Sequence, residues 1–78
     1  MSHDDFEQGI FMGIADEGRD LFLLDRTKWH VKPEDVSTVL TWVPGATLRI
    51  TILIKESLYP YMLYHTGTGN SVRARKCQ

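Results

Sequence analysis

The sequence predicts an all-β fold, a small antiparallel barrel of five or six short strands with at most one short helical turn. Three observations carry that expectation. Apolar residues alternate with polar or small ones over several short runs, the period of a strand with one face in a core. Turn residues recur at intervals of roughly ten positions, the spacing of sandwiches and barrels. The chain has 78 residues, 42% of them apolar, and so makes one small domain that buries only about 60% of its unfolded surface. Closing the sheet on itself removes edges that so short a chain has too few residues to cover.

Residues 1–7 read as a flexible N-terminal tail and residues 8–76 as a single barrel domain, with no linker, low-complexity run or internal repeat. From Gln8 to Ala15, Ile10, Met12 and Ile14 alternate with Phe11, Gly13 and Ala15, which predicts the first strand. Asp16-Glu17-Gly18-Arg19 is a turn in which Gly18 is free to take positive φ, and Asp20 to Leu24 returns as the second strand of a hairpin. After the polar break Asp25-Arg26-Thr27, Trp29 and Val31 alternate with Lys28, His30 and Lys32. Trp29 is thus a core candidate and His30 an exposed residue.

Pro33-Glu34-Asp35 opens a short helical turn, because proline suits a first helical position and acids there suit the helix dipole. Val36, Val39 and Leu40 would then cover the core. Pro44-Gly45 predicts a type II turn, with glycine supplying the positive φ. In the strand from Thr47 to Ile54, Leu48, Ile50, Ile52 and Ile54 share one face, with Thr47, Arg49 and Thr51 on the other. Ser57 to Pro60 connects to a strand from Tyr61 to His65. The glycine-rich loop Thr66-Gly67-Thr68-Gly69-Asn70 leads to a last strand, Ser71 to Lys76, with Val72 and Ala74 inward and Arg73 and Arg75 outward. Strands of this number and spacing point to an SH3-like or OB-like barrel.

The order Trp29-His30-Val31, Trp42-Val43-Pro44-Gly45, Tyr59-Pro60-Tyr61 and Val72-Arg73-Ala74-Arg75 resembles a group of short uncharacterised bacterial proteins with a W-x-V, W-x-P-G, Y-P-Y, T-G, V-x-A-R series. The likeness spans roughly residues 20 to 76. It implies a bacterial origin and a small β fold, and no activity. Those proteins often carry an acid after the Pro-Gly pair where this chain has Ala46, so no role is carried over for that acid.

Charge is nearly balanced, nine basic against ten acidic residues, but unevenly spread. Residues 1–20 hold six acids and one base, and residues 49–78 hold five bases and one acid. Either a basic binding face or mutual compensation of the two ends accounts for this. No apolar run approaches the roughly 20 residues of a membrane-spanning helix. The N-terminus carries acids and no basic region ahead of an apolar stretch, so a secretory signal is not expected. The single cysteine, Cys77, forms no internal disulfide and suits a reducing compartment, so a cytoplasmic protein is expected.

Chemistry-bearing constellations are sparse. His3, His30 and His65 lack metal-ligand spacing, and no metal or other cofactor is expected. No strand-nucleophile-helix elbow is present, so no catalytic set is assigned and the protein is read as non-enzymatic. Asp35 and His65 are the acid and base that a barrel would have to bring together for catalysis. The Thr-Gly-Thr-Gly-Asn run lacks the following helix of a phosphate cradle.

Two binding functions remain. The first is a protein-interaction module, taking a partner protein or a second copy through Trp42, Tyr59 and Tyr61, because Trp and Tyr dominate interface hot spots. A core position for both tryptophans, Trp29 and Trp42, is the competing expectation. The alternative is single-stranded nucleic-acid binding through Tyr64, Arg49, Arg73, Arg75 and Lys76, aromatic rings for stacking among cations for phosphates. With Leu63 inward, Met62 and Tyr64 point outward, beside Arg73 and Arg75 across the hairpin.

Overall fold

The longest strand, β1 (Phe6–Ala15), decides how the sheet closes. Its first half, Phe6 to Ile10, pairs with β4 (Thr47–Ile52), and its second half, from Phe11, pairs with β2 (Asp20–Leu23). With β3 (Lys28–Val31), β5 (Tyr61–His65) and β6 (Ser71–Cys77), the result is a closed six-stranded barrel in the order β1-β2-β3-β6-β5-β4. Each neighbouring pair is antiparallel. This computed structural model describes residues 6–53 and 57–77. His3 and the predicted strand end at Ile54 lie outside the described residues.

The predicted tail is too long by two residues, because Phe6 and Glu7 are already in register with Thr51 and Ile50. The alternation expected along β1 is also broken. A bulge between Phe11 and Gly13 resets the phase, so that Ile14 pairs with the buried Leu21. An extra residue in one strand sharpens the local twist, which is what lets one strand leave β4 and follow β2.

The core holds Phe11, Leu21, Leu23, Trp29, Val31, Leu48, Ile50, Leu63, Val72 and Ala74 from the strands. Helix α1 (Val36–Val39), which follows a 3-10 turn at Pro33–Asp35, closes one end with the fully buried Val39 and the half-buried Val36. Leu40, expected to join them, is exposed because the helix has ended and the chain turns away. It lies instead over Gly18, where an added Cβ would come 2.9 Å from a Leu40 methyl and 3.1 Å from one of Val36. Ile52, in phase with Leu48 and Ile50, is likewise exposed rather than inward, because it sits where β4 runs out at the opposite end, beyond the last layer of core side chains.

At that opposite end a local network fixes Trp29. The Asp25 carboxylate accepts from the Thr27 amide at 3.0 Å and from its hydroxyl at 2.6 Å, and the Trp29 indole N–H donates to the Thr27 hydroxyl at 2.9 Å. The hydroxyl bond from Thr27, with its amide bond next, holds the Asp25 carboxyl below its ordinary pKa. The predicted Pro44-Gly45 turn is present, with Gly45 at φ 98° and the Ala46 amide donating to the Val43 carbonyl at 3.3 Å.

Two outcomes follow for stability. Gly18 has φ 94° and faces side chains, so Gly18→Ala should lower the unfolding free energy by about 1–3 kcal/mol. Gly13 has open space around it, so Gly13→Ala should be neutral or stabilise by about 0.4–1 kcal/mol. Urea unfolding of both variants checks the pair. The lowered Asp25 pKa stabilises the fold above the ordinary carboxylate range, and that contribution disappears as pH falls through the folded-state value. Asp25→Asn should therefore be less stable than wild type at neutral pH, with the gap closing in acid, as read by urea unfolding across pH.

Candidate functional site

Strand register, not proximity in sequence, assembles the outer face. Pairing of β4 with β5 and β5 with β6 sets Arg49, Tyr64 and Ser71 in one row across the sheet, with Thr51, Met62 and Arg73 in the next. A third row runs Asp20, His30, Arg75 across β2, β3 and β6. Side chains in one row project to the same side, directly opposite neighbours lying about 5 Å apart at Cβ. Four of the five residues expected to bind nucleic acid, Arg49, Tyr64, Arg73 and Arg75, thus share this surface.

Their environments differ. The Arg49 guanidinium carbon lies 6.0 Å from the centre of the half-buried Tyr64 ring, a cation–π distance. Arg73 is tied down, its Nε and Nη2 donating to the Tyr59 carbonyl at 3.1 and 2.6 Å while its amide donates to the Asp35 carboxylate at 2.9 Å. It clamps the 57–60 segment to the barrel and is not open to a ligand as the sequence reading had it. Arg75 is exposed. Lys76 departs from the set, because it pairs with Trp29 on the inward row and holds its ammonium 5.8 Å from the Trp29 ring centre, at the barrel's end.

The three aromatics expected to anchor a partner do not share a surface. Trp42 is a core residue, 7% exposed, with its ring edge-on to Phe11 at 5.8 Å and tilted against His65 at 5.2 Å. The chain after α1 folds back across the barrel end, and the Trp42 amide donates to the Val39 carbonyl at 3.0 Å. Its indole nitrogen is buried without a hydrogen-bond partner among the described residues. Tyr61 packs inside the opposite end, edge-on to Trp29 at 5.0 Å. Tyr59 alone is on the outside, near-parallel to the His30 ring.

His30 is the residue that the sequence reading underrated. It is half-buried, and its Nδ1 is 2.8 Å from the Asp20 carboxylate, whose other oxygen is 3.6 Å from the Lys28 ammonium. Its alternation with Trp29 marked it as outward-facing; only the register with β2 and β6 reveals Asp20 and Arg75 beside it. A recess of about 540 Å³ opens next to it, beneath the tip of the β1–β2 turn. Asp35 and His65 do not meet. Asp35 is bound to the Arg73 amide, and the buried His65 accepts through Nδ1 from the Gly67 and Thr68 amides, both at 3.1 Å. Among the described residues no group of three or more His, Cys, Asp or Glu is arranged to hold a metal ion, and no helix is long and apolar enough to cross a membrane.

Truncating Trp42 should expose its role as core. Trp42→Ala is expected to lose about 3–5 kcal/mol of stability. Trp42→Phe should lose clearly less, because it fills much of the same space and removes a buried N–H whose lack of a partner costs about 1–3 kcal/mol. Thermal and urea unfolding of the two variants distinguish a core role from a surface one, for which both would be near neutral. No family model, curated protein or solved structure matches the chain.

Proposed function

We propose that the barrel is a non-enzymatic binding module that takes single-stranded nucleic acid on the outer face of β3, β6, β5 and β4. The observation that carries this reading is the Arg49–Tyr64 pair in one row with Arg75 exposed on the same sheet. A ring with a cation on one side, Arg49, and a second, Arg75, two rows along the sheet offers a base something to stack on and its phosphates something to neutralise, and stacking alone is worth about 1–3 kcal/mol per base. SH3-like and OB-like barrels of this size present such faces. The net charge is −1, and the acid at the margin of this face, Asp20, already has His30 and Lys28 beside its carboxylate. We place this activity in the cytoplasm, a reading supported by the lone Cys77.

A second reading, a protein-interaction module, is favoured by a different observation. Leu24, Ile52, Leu53 and Leu58 are exposed where β2 and β4 finish and the 57–60 segment begins, at the end of the barrel away from α1. Apolar side chains gathered on one end are a feature of association surfaces.

Titration with a short single-stranded oligonucleotide at several salt concentrations separates the two. Nucleic-acid binding predicts affinity that falls with salt by about 0.7 log units per log unit for each phosphate neutralised, and Arg75→Ala should reduce that slope by about one phosphate's share. Tyr64→Leu should cost about 1–3 kcal/mol of binding. Binding that is absent, or indifferent to salt, overturns the nucleic-acid reading in favour of the protein-interaction one.

A further inference from the structure

His30 takes part in two features at once. Its ring lies at 14° to that of Tyr59 with centroids 6.5 Å apart, the long end of the range for aromatic pairs. At that separation the two near-parallel rings cover little of each other, whether offset or spaced, and leave π-surface for a third. Both partners are held. Asp20 fixes His30 through Nδ1, and Arg73 fixes the Tyr59 backbone. His30 also lines the recess of about 540 Å³, whose walls include the apolar Val31 and Pro33 and, at the turn, Asp16, Glu17 and Arg19. A volume of that order accommodates a small planar ligand.

We propose that this recess takes one unpaired base of a single strand lying on the outer face, stacked on His30, and that it prefers a base with an exocyclic amino group. The inference rests on the nucleic-acid reading above and deepens it. The preference comes from the wall. Asp16 and Glu17 are acceptors when ionised and Arg19 is a donor; cytosine offers the acids its amino group and the guanidinium its ring nitrogen and carbonyl, whereas uracil carries a carbonyl in place of that amino group and would set oxygen against the carboxylates. Arg75, opposite His30 across the β3–β6 pair, is placed for the adjoining phosphate, away from those two acids. The distance along the sheet from His30 to Tyr64 is two rows, so that one strand can stack at Tyr64 and at His30 together.

The test is an NMR titration of the labelled full chain with the ribo-tetranucleotides C4 and U4, alongside free cytidine monophosphate, repeated on Tyr59→Leu and on the double variant Asp16→Asn, Glu17→Gln. Asparagine tolerates the left-handed backbone of position 16, where φ is 52°. C4 should move the His30 ring signals as well as those of Tyr64 and bind several-fold more tightly than U4. The double variant should lose the difference between them while still binding, and Tyr59→Leu should weaken C4 with little effect on the Tyr64 signals. Equal affinities for C4 and U4, or shifts confined to Arg49 and Tyr64, overturn the base recess and leave the outer face standing. Shifts at His30 with cytidine monophosphate, and none at Tyr64 with either tetranucleotide, overturn the extended face and support the recess. No shift at either place overturns both.

Discussion

One strand serves two neighbours, and the rest of the barrel depends on it. β1 gives its first half to β4 and its second to β2, with the bulge after Phe11 at the handover. If that strand ran without the bulge, Ile14 would leave the side it shares with Leu21. Closure also sets the register of β4 on β5 and of β3 on β6, and those registers compose the outer rows on which Arg49 meets Tyr64 and Arg75 meets His30. The outer face proposed to bind is a consequence of closing the ring, since no local segment contains it.

Both ends of the barrel are stoppered by aromatic rings, which explains where the large side chains of so short a chain go. Trp42, Phe11 and His65 fill the end under α1, while Trp29 and Tyr61 meet at the other with the Lys76 ammonium over the indole. A domain of this size has few residues for a core, and each of these rings buries more area than an aliphatic side chain. That need outweighs any demand for Trp42 or Tyr61 as a surface anchor.

The elements themselves were legible because alternation and turn chemistry are local. Leu48 and Ile50 against Arg49, the Pro44-Gly45 turn and the Gly69 hairpin loop each declare themselves within a few residues. What was not legible depends on partners distant in sequence. Ile52 reads as the continuation of the Leu48–Ile50 stripe, and only the height of the core says that it lies past the last buried layer. Arg73 reads as a free surface cation, and only the return of the 57–60 segment makes it a clamp on Tyr59. His30 reads as ordinary surface until the β2–β3 and β3–β6 registers bring Asp20 and Arg75 to its sides. Strand phase is a property of the segment, whereas register is a property of the closed sheet.

The loop after β5 is governed by a single imidazole. His65 accepts two amides through Nδ1 while its own backbone binds Asn70 and Gly69 across the loop base. An acceptor of that reach dictates how many residues can turn above it, so loop length and the identity of residue 65 are one variable rather than two. Any insertion between Thr66 and Asn70 that carries the amides away would strand the buried nitrogen, and the change would be felt first by Trp42, whose ring lies against it. Variation in this exposed loop is therefore constrained from inside the barrel.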